Sequence, residues 1–263
     1  MNTASIWGII HFPIRDLRAS KDLKDETHQS ATAEPDLQLN EALLEVYHQL
    51  LTHFGSQHWW PAETAFEVIV GAVLTQQSRW SSVEASICNL KKKGLLEPEA
   101  LASEATEEVE QLIKPSGFYR QKAARIQNVS KYLVEHYNGE LDRFFGRDLL
   151  QVRKELMLLD GVGPETADSI LLYAGAKCVF VVDAYTIRFC GRFGLTKERR
   201  YEAVRLYFEA GLPRDLTIYK EFHALMVQLG KQYCRAIPLC EKCPLFDKCA
   251  YVLGLNLEKT SMS

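Results

Sequence analysis

The 263-residue sequence has no long hydrophobic run, and this absence argues against a helical membrane protein. No apolar stretch approaches the roughly 20 residues that a transmembrane helix needs. The segment from Ile6 to Phe12 is apolar, but it is too short for the core of a secretory signal, and no basic segment precedes it. We therefore expect a cytoplasmic protein without a membrane partner.

The chain also lacks a large excess of charge of either sign. A formal net charge of −3 argues against indiscriminate binding of polyanions, although a local basic face could still contact phosphates. For any single basic residue, a solvated helix surface is the simpler interpretation. The residues that could form such a face are Lys91, Lys92, Lys93, Arg120, Lys122, Arg125, Arg188, Arg192, Lys197, Arg199 and Arg200.

Strand patterns are nearly absent, because apolar and polar residues rarely alternate along the chain. Ser81 or Ser82 is predicted to cap a helix that carries Val83, Ile87 and Leu90. We predict an all-α fold without internal repeats. Apolar residues recur at helical spacing over residues 37–53, 66–75, 105–114, 119–137, 147–158, 183–193, 199–209 and 217–231.

Cysteine is scarce outside one short C-terminal segment. Three of the seven cysteines lie in apolar surroundings and are predicted to be buried thiols, namely Cys88, Cys178 and Cys190. In a reducing compartment the remaining four favour metal binding over disulfides. Four thiolates in a short loop suit either tetrahedral zinc or a [4Fe–4S] cluster, and spacing alone does not decide between them. These four are Cys234, Cys240, Cys243 and Cys249.

A tight turn is predicted around Gly161, Val162 and Gly163, followed by a helix that opens at Glu165 and Thr166. Two glycines permit positive φ angles and a close approach by another molecule. The unpaired N–H groups of the first helical turn favour an anion such as phosphate. Taken alone, this pattern is more often an ordinary turn between two packed helices.

The wider pattern is more specific. Leu-x-Gly-Val-Gly-x-x-Thr-Ala, followed by Val-Val-Asp-x-x-x-x-Arg, resembles the helix-hairpin-helix DNA glycosylases of the endonuclease III superfamily over about residues 38–250. The resemblance implies that Gly161, Val162, Gly163, Glu165 and Thr166 bind DNA phosphates. It also implies that the aspartate of the second motif is catalytic.

The same resemblance implies two helical lobes with DNA in the cleft between them. We expect a helical barrel with the hairpin at residues 57–178, and a second lobe built from residues 37–56 and 179–253. Residues 1–36 and 254–263 are predicted to be tails, and disorder is one interpretation of the first. The expected partner is double-stranded DNA with a damaged base, bound by a monomer.

Asp183 is the predicted catalytic residue by its position in the second motif. Cleavage of an N-glycosidic bond builds positive charge on the sugar, and a carboxylate can stabilise that charge and orient the attacking water. Without the motif, an aspartate at this place would be read as a helix cap. Bifunctional relatives carry a Schiff-base lysine where this chain has Glu165. We therefore predict a monofunctional enzyme that uses water and leaves an abasic site.

Base recognition is predicted from Trp59, Trp60 and Trp80, whose local sequences resemble the 3-methyladenine DNA glycosylase III branch. An aromatic pocket favours cationic, electron-poor rings such as N3- or N7-alkylated purines. Lys231 matches a pocket lysine of that branch, although an exposed helix-end lysine is the alternative. Gln77 matches the residue that fills the space left by the flipped nucleotide, or else is a helix-end amide.

The resemblance also favours a [4Fe–4S] cluster over zinc at the four cysteines. Endonuclease III carries a Cys-x6-Cys-x2-Cys-x5-Cys loop, and the first gap is one residue shorter in this chain. The expected role is structural, because the loop would hold Arg235, Lys242 and Lys248 toward DNA phosphates. The 3-methyladenine branch lacks this loop, so the chain combines features of two groups.

Three alternatives remain open at this point. The first is a glycosylase for mispaired or oxidised bases that removes adenine, thymine or uracil. The second is a DNA-binding lesion sensor without catalysis. The third is an interaction protein stabilised by zinc.

Overall fold

The computed structural model describes residues 37–254, and these residues form helices joined by short loops, with no β-strand among them. This confirms the all-α prediction. The predictions for residues 1–36 and 255–263 lie outside the described residues. In the described part, the α-helices are α1 (Leu37–Phe54), α2 (Ala65–Leu74), α3 (Trp80–Lys92), α4 (Pro98–Ser103), α5 (Thr106–Ile113), α6 (Tyr119–Tyr137), α7 (Leu141–Phe145), α8 (Leu149–Leu158), α9 (Pro164–Ser169), α10 (Ala184–Phe193), α11 (Tyr201–Gly211) and α12 (Leu216–Gln232).

Helix α2 is almost entirely buried, as its apolar sequence predicts. All but its first residue are buried, and Thr64 caps it by accepting a hydrogen bond from the Glu67 amide. Each large side chain buried here contributes about 1.5–3 kcal/mol of transfer free energy. The helix packs against α3, α6 and the π-helical segment Ile170–Ala174, which continues α9. Its C-terminal end is thereby held firmly, and the following loop starts from a fixed point.

Helix α3 begins earlier than predicted. It starts at Trp80, and its N-cap is Arg79, whose side chain makes no capping hydrogen bond. The predicted caps, Ser81 and Ser82, lie inside the first turn. The prediction was wrong because Trp80 packs against Trp59 and the helix starts where that packing places it.

Helix α1 packs against two late helices, α11 and α12. Tyr47 contacts Phe222 across this junction with ring centroids 5.6 Å apart. Behind it, Phe180 and Phe208 stack with centroids 4.3 Å apart. Chain segments distant in sequence therefore share one apolar core, while the boundaries of the two predicted lobes stay a prediction.

A buried ion pair joins α8, α9 and α11. Arg153 donates from Nε to Oδ1 of Asp168 at 2.7 Å and from Nη2 to Oδ2 at 3.0 Å. Tyr201 donates to the same carboxylate at 2.8 Å. Loss of Arg153 would leave a fully buried carboxylate without its charged partner, at a cost of about 3–5 kcal/mol.

The three scattered cysteines do not share one environment. Cys190 is buried as predicted, Cys178 is half-buried, and Cys88 is exposed. The prediction for Cys88 was wrong because α3 turns this position toward solvent. None of the helices in residues 37–254 is long and apolar enough to span a bilayer.

Candidate active site

A cavity of about 690 Å³ brings together residues that the sequence predicted from five separate segments. Its size falls within the range of about 300–1,000 Å³ that is usual for ligand sites. Of the residues predicted for catalysis, base recognition and gap filling, all line it: Trp59, Trp60, Gln77, Trp80, Asp183 and Lys231. Glu165 and Thr166 line the same cavity, as does His223, which the sequence analysis did not single out.

Asp183 is both a helix cap and a wall of the cavity. The buried segment 179–182 leads directly to it, and it occupies the N-cap position of α10. Its Oδ1 atom accepts hydrogen bonds from the Thr186 amide at 2.7 Å and from the Thr186 hydroxyl at 2.9 Å. Only 12% of its side chain is exposed. The cap fixes one carboxylate oxygen and leaves Oδ2 to its other neighbours.

The imidazole of His223 faces Oδ2. Its Nε2 atom lies 3.6 Å from that oxygen. Burial by itself would raise the pKa of Asp183, but the His223 ring and the Thr186 donors outweigh burial and leave the pKa below its ordinary value. The arrangement therefore favours an ionised Asp183, which is the form that can stabilise positive charge.

Glu165 lines the cavity, and it is an exposed residue. Desolvation, followed by the nearby charge of Asp183, raises the pKa of Glu165 above its ordinary value, and His223 partly opposes this. The two carboxyl groups thus have pKa values moved in opposite directions.

Three tryptophans form the aromatic wall. Trp59 contacts Trp60 and Trp80 with centroid separations of 5.0 and 4.5 Å, and Trp60 lies 5.6 Å from Trp80. Trp60 also contacts Tyr173 at 5.5 Å. The indole of Trp60 lies close over Gly71 of α2, where an added Cβ would sit only 3.1 Å from Nε1.

Helix α12 anchors the loop that carries Trp59 and Trp60. Glu221 accepts a hydrogen bond from the Ser56 hydroxyl at 2.9 Å and another from the Gln57 amide. A loop that would otherwise follow α1 into solvent is thereby held against the cavity.

The loop after α2 is tied to the glycine hairpin through Gln76. Its Nε2 atom donates to the Gly161 carbonyl at 2.8 Å and to the Thr166 hydroxyl at 3.0 Å. Arg125 donates to its Oε1 atom at 2.7 Å. The neighbouring Gln77 is exposed at a positive φ of 55°. Gln76 thus fixes the loop, while Gln77 presents its side chain at the cavity.

The hairpin has the geometry that its glycines predict. Gly161 adopts φ +75°, and a Cβ placed there would collide with the Arg125 guanidinium. Val162 is buried and its amide donates to the Leu159 carbonyl. The amides of Gly161 and Gly163 have no acceptor among residues 37–254. Thr166 is buried, so its hydroxyl serves the bond to Gln76.

Lys122 was included above as a candidate for a basic face, and the structure places it elsewhere. Only 1% of it is exposed, and Nζ donates to the Leu74 carbonyl, the Ser78 hydroxyl and the Ser116 carbonyl. Burial, with a smaller effect of Arg125, lowers the pKa of Lys122 to about 8. This lysine joins the Gln77 loop to the segment before α6.

That segment carries an exposed aromatic residue. Phe118 is 61% exposed and adopts φ 48° at the N-cap of α6. Lys231 lies in the last turn of α12, lines the cavity and is exposed.

The four clustered cysteines lie together after α12. None forms a disulfide. Within residues 37–254, no set of three or more His, Cys, Asp or Glu side chains has the arrangement of a metal site. Burial raises the pKa of Cys243 to about 11, and the charges of Cys249, Cys234 and Cys240 act in the same direction. Four free thiols whose charges affect one another's pKa are suitable ligands for a thiophilic metal or an iron–sulfur cluster.

Sequence reasoning missed Gln76, His223 and Tyr173. Their roles depend on contacts with residues far along the chain. For His223 the only local signal is a polar ring inside the apolar run from Phe222 to Met226.

Comparison with known proteins gives the family. The family model described as HhH-GPD superfamily base excision DNA repair protein matches residues 70–214. A candidate DNA repair glycosylase of Methanocaldococcus jannaschii is 47% identical over 211 residues, which cover 80% of this chain and 96% of that protein.

Two solved structures are similar over most of the chain. The Helicobacter pylori 3-methyladenine DNA glycosylase bound to 1,N6-ethenoadenine has a TM-score of 0.64 and 29% identity, covering 74% of this chain and 97% of its own. A non-covalent complex of endonuclease III with DNA has a TM-score of 0.71 and 25% identity, covering 83% and 98%. The chain therefore belongs to the HhH-GPD superfamily of base excision DNA repair proteins, as a DNA glycosylase of the endonuclease III family.

Proposed function

We propose that this protein is a monofunctional DNA glycosylase that removes alkylated purines and leaves an abasic site. The observation that carries the proposal is that Asp183 and the three tryptophans line one cavity. A base held by the aromatic wall would place its sugar near the carboxylate. No lysine stands at Glu165, where a Schiff-base nucleophile would be needed.

Double-stranded DNA containing the damaged base is the proposed substrate. The unpaired amides of Gly161 and Gly163 offer hydrogen-bond donors to one phosphate group, and the hairpin carries them toward solvent. Gln77 lies exposed at the cavity and would enter the stack when the target nucleotide leaves it. The similarity to a solved complex of endonuclease III with DNA supports this mode of DNA binding.

The reaction breaks the bond between the deoxyribose C1′ and the base nitrogen. As the bond lengthens, its electron pair leaves with the base and positive charge grows on the sugar. Ionised Asp183 stabilises that charge and takes a proton from the water that attacks C1′. An alkylated purine is already cationic, so its departure needs little help from an acid.

The aromatic wall supports the choice of base. Tryptophan faces attract cations, and N3- or N7-alkylated purines carry positive charge in the ring. The Helicobacter pylori relative, which is named a 3-methyladenine DNA glycosylase, was solved with 1,N6-ethenoadenine. Lys231, which lines the cavity, would contact the base or its phosphate.

We further propose that Cys234, Cys240, Cys243 and Cys249 hold a [4Fe–4S] cluster. The support is the donor set of four neighbouring free thiols together with membership of the endonuclease III family. The cluster would cross-link the loop after α12. Four thiolates also suit zinc. Absorbance of the purified protein at about 400 nm separates the two, because an iron–sulfur cluster absorbs there and zinc does not.

The function is tested by chromatography of free bases released from dimethyl-sulfate-treated duplex DNA. Wild-type protein should release 3-methyladenine and leave the strands intact, whereas Asp183→Asn should release none. If wild type releases no alkylated base, the substrate proposal is wrong. Duplexes with mispaired or deaminated bases would then test for the alternative glycosylase activity, and binding without release from any of them would favour a lesion sensor.

A further inference from the structure

The nitrogen Nε2 of His223 is a buried polar atom that the reaction above does not use. His223 is only 6% exposed, and Nε2 has no hydrogen-bond partner in the described part of the protein. A buried polar group without a hydrogen-bond partner is energetically unfavourable. The atom faces Oδ2 of Asp183 at 3.6 Å, just beyond hydrogen-bond distance.

The opposite ring nitrogen is held firmly. Nδ1 of His223 lies 2.7 Å from the hydroxyl oxygen of Tyr173, and that hydroxyl lies 3.2 Å from the Lys220 carbonyl oxygen. Tyr173 is itself buried and packs against Trp60. The imidazole ring therefore has a fixed orientation relative to the cavity.

The hydroxyl of Tyr173 has one hydrogen, which limits the possible arrangements. If it donates to Nδ1, the neutral His223 ring carries its hydrogen on Nε2. If it donates to the Lys220 carbonyl, Nδ1 carries a hydrogen and a neutral ring would turn a bare Nε2 toward the carboxylate. That contact is repulsive, and a second proton on the ring removes it. Each arrangement that avoids repulsion places a hydrogen on Nε2.

We propose that His223 is a positioning residue whose Nε2–H holds Oδ2 of Asp183, with Tyr173 fixing the ring. The proposal rests on the proposed function, in which Asp183 is the catalytic carboxylate. Thr186 already occupies Oδ1 with two donors, so His223 controls the remaining oxygen. A carboxylate held at both oxygens keeps its charge and its direction while positive charge develops on the sugar.

The surroundings make the histidine necessary. Glu165 faces Asp183 from α9, and the charge of Asp183 acts on it across the cavity. Without His223, the buried Asp183 would meet a second carboxyl group and retain only the Thr186 donors. The other titratable or charged groups that contact the ring or line the same cavity are Tyr173 on the π-helical segment, Arg79, Tyr185 on α10 and Lys231 on α12.

The test compares His223→Leu, which cannot donate a hydrogen bond, with His223→Gln, which can. Single-turnover release of 3-methyladenine from methylated duplex DNA, corrected for release without protein, is measured between about pH 3.5 and pH 8, together with affinity for the same DNA. We expect His223→Leu to move the acid limb of the rate upward by about one pH unit, a loss of about tenfold at low pH. DNA affinity should be unchanged, and His223→Gln should restore much of the wild-type profile.

A purely structural role for His223 predicts something different. The rate would then fall by the same factor at every pH, and glutamine would restore nothing; either that result or a wild-type profile for His223→Leu overturns the proposal. His136→Leu, at an exposed position of α6 remote from the cavity, is the control for loss of a histidine. Thermal unfolding of each variant separates misfolding from loss of positioning.

A second measurement does not depend on base release. Nitrogen-15 NMR of labelled histidines should show the His223 Nε2 resonance in the range of a protonated ring nitrogen, and Asp183→Asn and Tyr173→Phe should each move it. An unprotonated Nε2 at neutral pH overturns the proposal whatever the activity. If the resonance behaves as expected but no base is released, the pairing stands and the proposed substrate is wrong.

Discussion

The side-chain amide of Gln76 donates a 2.8 Å hydrogen bond to the carbonyl oxygen of Gly161, across 85 residues of sequence. This bond connects the loop that presents Gln77 to the hairpin that presents its amides to solvent. The Gln77 loop and the glycine hairpin, both proposed above to contact DNA, therefore hold each other in position, and the apolar core also holds them.

Substitution of Gln76 by alanine should destabilise the protein. It leaves the Arg125 guanidinium and the Gly161 carbonyl without this partner, at a cost of about 1–3 kcal/mol. Chemical denaturation measures the effect. Gln77→Ala is the matched control, because Gln77 is exposed and its loss should change stability by less than about 0.5 kcal/mol while still slowing base release. Equal stability of the two variants would contradict the role assigned to Gln76.

The two hairpin glycines should respond differently to alanine. Gly161→Ala places a Cβ at φ +75° against Arg125, so it should lower stability by about 1–2 kcal/mol or more. Apart from its two chain neighbours, no residue in 37–254 has an atom within 4 Å of a Cβ added at Gly163. Its φ of −84° suits alanine, so Gly163→Ala should leave stability unchanged.

DNA affinity is the second measurement to make on the two glycine variants. If the hairpin amides contact a phosphate, the Cβ in Gly163→Ala should weaken binding by obstructing that approach, even though the fold is intact. Fluorescence anisotropy with a labelled duplex measures this. Full affinity of Gly163→Ala would argue against the proposed phosphate contact.

Lys122 should make stability rise with pH in the alkaline range. Its pKa is lowered to about 8 by burial, so between that value and its unfolded value the unfolded chain binds more protons than the native state. The contribution of Lys122 therefore becomes more favourable as pH increases through this window, by up to about 1.4 kcal/mol per unit. Below about pH 8, Lys122 is protonated in both the folded and the unfolded protein, so its contribution to stability should be constant.

The measurement is the difference in unfolding free energy between wild type and Lys122→Met at a series of pH values. Subtraction removes the titration of the other groups that the two proteins share. Lys131→Met, at an exposed position of the same helix, is the control for loss of a lysine charge. A difference that stays flat or falls toward high pH would contradict a depressed pKa for Lys122.

Glu165→Lys should introduce strand-cleaving chemistry. The substitution places an amine in the cavity beside Asp183, where it can attack C1′ and form an imine with the opened sugar. Borohydride reduction should then trap a covalent protein–DNA complex on electrophoresis. Glu165→Gln, which has no such nucleophile, should give none. Trapping by the wild-type protein would show that it is bifunctional.

Much of the fold could be predicted from local pattern. Apolar residues at helical spacing indicated most of the helices, because a helix of this length needs an apolar face to be stable. The predicted segment 119–137 coincides with α6. Helix starts were less predictable: Trp80 begins α3 because of its contact with Trp59, which no local capping signal reports.

The candidate site divides in the same way. Asp183, the hairpin glycines and the tryptophans stand in short motifs, so their chemistry can be proposed from neighbouring residues alone. Whether they meet depends on how α2, α9, α10 and α12 pack. Their convergence on one cavity is a property of the folded protein.

The amino-acid order is enough to specify an all-α chain with a glycine hairpin, an aspartate in a family motif and a four-cysteine loop, because those features depend on residues close in sequence. The pairing of His223 with Asp183, the burial of Lys122 and the tie from Gln76 to Gly161 required the folded chain. Each depends on at least one contact between residues about 40 or more positions apart. Burial changes the protonation and hydrogen bonding of such groups in ways that local sequence does not encode.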